Sequence, residues 1–243
     1  MPHGCATICS VPDVLPPPEE KARTVRQMFD RIAPGYDRVN RVMTGRRDQA
    51  WRRELVRRLR VSDADRVLDL ACGTGDFAEI AREFTPHVVG LDFARVMLQG
   101  ARRRKIEGVE WVQADALRLP LRDGSMTVAV SGFALRNFTS IPAVLAELAR
   151  VIRPGGRIGL LEVDRPRNPI FRAGHTVYFN RVVPLIGGAL SSERQAYRYL
   201  PASAAYMPAE AELLGMIREA GFERVRKQSH MLGAAQAITA VRA

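Results

Sequence analysis

Between residues 61 and 163 the chain alternates short apolar runs with stretches of helical spacing. Val67–Leu70, His87–Asp92, Val109–Ala114, Met126–Ser131 and Arg157–Val163 are runs of four to seven residues rich in branched side chains, the signature of buried parallel strands. Between them, Phe77–Phe84 and Arg95–Ile106 carry apolar residues at helical intervals. A third helix, capped by Thr139 or Ser140, has Ile141, Leu145, Leu148 and Ile152 on one side and ends at Arg153-Pro-Gly-Gly156. This alternation predicts an α/β fold with a doubly wound, mainly parallel sheet. Pro208–Ala220 reads as a last helix, closed by Gly221. Phe222–Lys227 and Ala237–Val241 read as a hairpin-like strand pair, giving a seven-stranded sheet with an antiparallel C-terminal strand.

Three segments depart from this rhythm. Met1–Glu20, with Pro12 and Pro16-Pro-Pro18, predicts an extended or disordered tail. Residues 21–60 predict a helical flap: Val25, Met28, Phe29 and Ile32 share one face, Pro34 and Gly35 break the helix, and it resumes over Trp51–Arg60. Residues 164–207, with four prolines and several tyrosines, predict a largely helical cap inserted into a single domain spanning 21–243.

Val67-Leu-Asp-Leu-Ala-Cys-Gly-Thr-Gly-Asp76 runs from strand through a glycine turn into a helix, which opens a crevice at the strand's carboxyl end. Gly73-x-Gly75-x-x-Ala78, with Asp92 about twenty residues on, fits a loose dinucleotide fingerprint. Asp69, four residues before Gly73, argues otherwise, because a carboxylate beside the turn opposes a pyrophosphate and suits a cationic ligand. S-adenosylmethionine, which carries an ammonium and a sulfonium but no phosphate, is the expected cofactor. Asp92 is placed to accept the ribose hydroxyls, or else to cap the next helix. Asp115 is a candidate for the adenine amino group, or a turn residue, with Ala116 beside the ring. Past the fourth strand, Gly132-Phe-Ala-Leu-Arg-Asn137 lacks the Asn/Asp-Pro-Pro-aromatic run of amino-methyltransferases. Arg136 stands where an acceptor belongs, suited equally to orienting an oxygen anion and to a salt bridge.

Composition narrows the setting. The formal net charge is +11, no apolar run approaches the ~20 residues of a membrane span, and the N-terminus has no secretory pattern. A cytoplasmic protein is expected. Arginines around Trp51 and the run Arg102-Arg-Arg-Lys105 fit a solvated face or contact with anionic membrane at its inner surface. Nucleic acid ranks behind both, for want of an aromatic–basic motif. Of three cysteines, Cys5 and Cys9 near His3 have no matching cluster elsewhere, and no metal is assigned. Oligomeric state is not legible.

Tyr36-Asp-x-x-Asn40, Trp51, Leu68-Asp-Leu-Ala-x-Gly-Thr-Gly-Asp76, Phe133-x-Leu-Arg-Asn137 and Tyr197-Arg-Tyr-Leu200 occur in order, and with them the chain resembles the ubiquinone/menaquinone-biosynthesis C-methyltransferases (the UbiE/MenG family). The resemblance runs from about Val25 to the C-terminus. It implies methyl transfer from S-adenosylmethionine to a ring carbon of a polyprenylated quinol, demethylmenaquinol before the ubiquinone-pathway methoxy-benzoquinol. It implies that Tyr36, Asp69, Gly73, Thr74, Gly75, Asp92, Asp115, Ala116 and Gly132 hold the cofactor. Asn40, Asn137, Tyr197 and Arg198 would then meet the acceptor, with Arg136 and Tyr199 catalytic. One departure is Asp48, where family members often have a histidine; another is Gly132, where some have a serine. Methylation of another phenol, and a scaffold that binds S-adenosylmethionine without catalysis, are the competing readings.

Overall fold

The computed structural model describes residues 16–182, 185, 199 and 202–243. Its centre is a seven-stranded sheet in the order β3-β2-β1-β4-β5-β7-β6. The strands are β1 (Arg66–Leu70), β2 (His87–Asp92), β3 (Val109–Gln113), β4 (Met126–Gly132), β5 (Ile152–Val163), β6 (Phe222–His230) and β7 (Ala235–Arg242). β7 runs antiparallel to both of its neighbours, and the other pairings are parallel. Chain order reverses between β1 and β4, so the crevice that such sheets offer to a ligand falls at the carboxyl end of β1.

Successive strand residues point to opposite faces, and both faces are covered. Val67, Val88, Val128 and Val130 pack under α3 (Arg47–Arg58) and α4 (Asp76–Arg82). Leu68, Leu70, Leu91 and Leu160 pack under α6 (Ile141–Val151) and α8 (Glu210–Glu219). This explains why the central strands read as unbroken apolar runs. Ser140 caps α6, accepting a hydrogen bond from the Ala143 N–H. Ile152 leaves that helix: its backbone is extended and it opens β5 opposite Met126, which corrects its expected place on the helix face.

Outside the sheet layers, α1 (Lys21–Ile32) and α2 (Tyr36–Met43) form a small apolar cluster with Met97 of α5 (Arg95–Arg103) and with Tyr199. The flap is therefore this pair. α3 starts four residues earlier than the spacing suggested and belongs to the body, through Leu55, Val56 and Leu59. α7 (Pro169–Val177) begins the insertion and buries none of its residues. Tyr197 and Arg198, with Cys5, Cys9 and His3, lie outside the described residues.

Candidate active site

β1 ends in Leu70, and the chain turns through Ala71 and Gly73, both at positive φ, before Gly75 (φ 90°) starts α4. The two glycines serve different needs. A Cβ at Gly73 would meet nothing within 4 Å, whereas one at Gly75 would lie 2.5 Å from the Trp111 ring. Gly90 of β2 is hemmed in likewise, at 2.4 Å from the same indole. Gly75 thus makes room for Trp111 of β3, and Gly73 is the one that faces the cleft. Gly132 also lines the cleft, and a Cβ there would approach Phe77 to 2.8 Å, so a glycine suits this position.

The cleft is floored by the ends of β1, β2 and β4 and roofed by Ala22, Phe29 and Tyr36 of the flap, which leaves about 90 Å³. Asp92 closes one side. Its two carboxylate oxygens accept the Gly73 and Ala94 N–H groups, each at 2.8 Å, and burial pushes its pKa up to about 6. The Phe93 N–H also bonds this carboxylate, which leaves it acceptor capacity for a ligand hydroxyl. Asp115 accepts the Leu117 N–H at 2.9 Å and also lines the cleft beside Ala116. Asp115 is thus a turn residue that also stands in the cleft wall. Asp92 and Asp115 are the only charged side chains among the described residues lining this cleft. Without a cation, and with Phe93, Met97 and Leu91 for an aromatic ring, it suits a cationic nucleoside far better than a dinucleotide pyrophosphate.

Several expected ligand residues stand elsewhere. Asp69 points away from the cleft because strand alternation puts it on the α4 side. It is buried, accepts the Ala78 N–H at 2.9 Å, and is pushed up to about 7 chiefly by burial. Thr74 is also behind the wall, donating to Asp37 of α2 at 2.6 Å and so tying the flap to the turn. The turn is held from outside by Arg104, which donates to the Thr74 carbonyl at 3.0 Å and pairs with Asp76 and Glu79. Lys21 secures the flap's other end, donating to the Phe138 carbonyl at 2.7 Å under the Tyr206 ring. Neither tie was evident in the sequence, since single Arg and Lys residues in a basic chain carry no local signal.

Tyr36 and Phe133 separate this cleft from a second, larger cavity of about 510 Å³ and line both. Its walls come from α2, α3, α7 and the turn Met231–Gly233, and they are mostly apolar. Trp51 stacks on His230 beside it. Asn40 lines this cavity, as expected of an acceptor residue, but Asn137 lines the cofactor cleft instead. Tyr199 lines neither cavity; its ring is buried in the flap cluster and its hydroxyl lies 3.4 Å from Asn137 Oδ1, so the catalytic role expected of it gives way to packing. Arg136 does line the larger cavity, yet it is also the salt-bridge residue: its guanidinium pairs with fully buried Glu162 and donates to Ser203 at 3.1 Å. Asp48, the residue at the histidine position, is likewise buried, accepting from Thr44 Oγ1 and Arg52 Nη1 at 2.7 Å each. Arg52 in turn lies over Phe77 and Phe133. Spacing alone could have found this pair, since Asp48 and Arg52 are four apart on one helix face.

A switch-point crevice with an acid at the end of β2, no cation in its walls and an adjoining apolar chamber defines a methyltransferase of the Rossmann-like class, with S-adenosylmethionine as methyl donor. The chain belongs to the ubiE/COQ5 methyltransferase family, matching it over residues 18–242. It is 44% identical over 234 residues to a demethylmenaquinone methyltransferase of Roseiflexus castenholzii, an alignment covering 95% of this chain and 98% of that one. It is 44% identical over 200 residues to the protein of that name from Thermus thermophilus, covering 80% and 91%. In fold it is similar to a SAM-dependent methyltransferase from Thermotoga maritima, with a TM-score of 0.64 at 20% identity over 90% of this chain and 100% of that one.

Proposed function

We propose that the protein methylates a ring carbon of a polyprenylated quinol, demethylmenaquinol in preference to a methoxy-benzoquinol. Besides the names of its relatives, one observation carries this reading. The cofactor cleft adjoins an apolar chamber whose two arginines are already neutralised, Arg52 by Asp48 and Arg136 by Glu162. A chamber with apolar walls and no spare charge suits a neutral lipophilic ring, and it would strip a phosphorylated or nucleic-acid acceptor of solvent without compensation.

In this reading Tyr36, Gly73, Asp92, Asp115, Ala116 and Gly132 hold S-adenosylmethionine, which supplies an electrophilic methyl group. The acceptor's ring C–H becomes C–CH3 and one proton is released. The protein's part is to present the ring and to draw electron density onto it. Asp48 is the only carboxylate among the described residues lining the chamber. Held by Arg52 and Thr44, it is placed to accept a hydrogen bond from a quinol hydroxyl. Arg136, fixed by Glu162, orients the other ring oxygen. Tyr36 and Phe133 flank the ring where the two cavities meet.

The test is incubation with methyl-labelled S-adenosylmethionine and, separately, demethylmenaquinol, a methoxy-benzoquinol and total RNA. Label on the naphthoquinol ring carbon is the expected outcome. Label in RNA alone, or in no acceptor despite cofactor binding, overturns the proposal.

A further inference from the structure

All of the exposed large apolar side chains among the described residues lie in three segments. Val42, 49% exposed, lies in the last turn of α2. Ile170, Phe171 and Val177 stand on α7, with Val182 and Leu185 just beyond it. Met231 and Leu232 form the β6–β7 turn, and Leu232 is 69% exposed. The rest of the described surface has none. The three segments surround one opening: Ile170, Phe171, Met231 and Leu232 line the acceptor chamber, and the Tyr178 hydroxyl bonds the Met43 carbonyl at 2.6 Å, joining α7 to the end of α2.

Two further observations show that these side chains are held outward. Met231 and Leu232 both have positive φ, 46° and 56°, a conformation that costs free energy in bulky residues and here keeps a leucine in solvent. α7 gains no core contact to explain its apolar residues. The charge along this segment is chiefly positive. From Arg165 to Val182 there are four arginines and no carboxylate, and Arg46 and Arg47 are exposed beside Val42. Arg167 pairs with Glu210 yet stays largely exposed, much as Arg53 and Arg58 do with Glu83 and Glu54; what sets this face apart is that the exposed large apolar side chains stand beside its arginines.

We infer that α7, the end of α2 and the Met231–Gly233 turn form a docking face for an anionic lipid bilayer. The apolar side chains enter the acyl boundary and the arginines meet the headgroups. The chamber then opens directly onto the lipid, so a polyprenylated acceptor can enter ring first while its tail stays in the membrane. This rests on the lipophilic acceptor proposed above.

The experiment is flotation of the full chain with phosphatidylglycerol/phosphatidylcholine vesicles, wild type against the double variant Val42→Asp/Val177→Asp, whose positions do not line the chamber. Wild type should float, the variant should bind at least tenfold more weakly, and their thermal melts should coincide. Turnover of a short-chain, water-soluble naphthoquinol should stay within twofold, while the apparent KM for a long-chain quinol in vesicles rises several-fold. If the variant melts early, Val42→Ser/Val177→Ser replaces it. The inference is overturned if wild type ignores anionic vesicles, or if the variant floats equally well. It is also overturned if sedimentation shows a wild-type dimer that the substitutions dissolve, which would make the face a subunit interface. If neither quinol is methylated while flotation behaves as expected, the docking face stands and the acceptor assignment falls.

Discussion

The two compartments of the active site are built by opposite means. The cofactor cleft is a product of sheet topology: its floor is backbone at the ends of three strands, and one carboxylate, Asp92, is fixed by two main-chain amides. The acceptor chamber is a product of side chains, borrowed from two helices, an insertion and a hairpin turn, and its charged groups are paired, Asp48 with Arg52 across its wall and Arg136 with Glu162 behind it. A topological site tolerates almost any sequence that folds. A side-chain site can change its ligand by a few substitutions.

Asp92 offers the most severe way to break the first compartment. Asp92→Ala removes the acceptor of two backbone N–H groups together with the ligand's partner, and calorimetry should show at least a hundredfold weaker binding of S-adenosylmethionine. In the second compartment, Arg136→Ala leaves Glu162 buried without its partner and should cost about 3–5 kcal/mol in denaturant unfolding. The double variant Arg136→Met/Glu162→Leu sharpens the point: stability should return, and turnover should not if Arg136 orients the acceptor.

A milder probe acts where flap and turn meet. α1 and α2 pack over the cleft, and the Thr74–Asp37 hydrogen bond ties α2 to the turn. Thr74→Val should destabilise the closed flap by about 1 kcal/mol, seen as faster amide exchange in α2 with the sheet unaffected. Asp69 gives a pH signature. The unfolded chain loses this proton near pH 3.9, while the folded protein keeps it to about 7, so the residue's contribution to stability declines as pH rises between those values and is flat above them. Asp69→Asn should flatten that part of the profile and raise the melting temperature at pH 8 by about 3–6 °C. The smallest effect is expected of Tyr199→Phe, which removes a hydroxyl 3.4 Å from its partner and should leave turnover within twofold.

The same division governs what could be read from residue order. Strand–helix alternation and the glycine turn were legible because they depend on period and on φ, both local properties. They gave the sheet, its antiparallel β7 and the position of the cleft. The direction of a single side chain was not. Asp69 and Asp92 are both acids at strand ends, and only the pleat sends one to α4 and the other to the ligand side. Tyr199 and Asn137 were misplaced for a related reason: each is surrounded partly by α1, which is distant from both in sequence. Arg136 was read as suiting either of two roles, and the Glu162 that decides between them lies 26 residues away.

The tryptophans carry a practical consequence. The chain has two: Trp111 fills the space that Gly75 and Gly90 leave behind the cofactor turn, and Trp51 stands in the wall of the acceptor chamber. Each compartment is thus equipped with its own intrinsic fluorophore. Exchanging either indole for phenylalanine would leave a single emitter, so donor and acceptor occupancy could be followed separately, in real time and without a label.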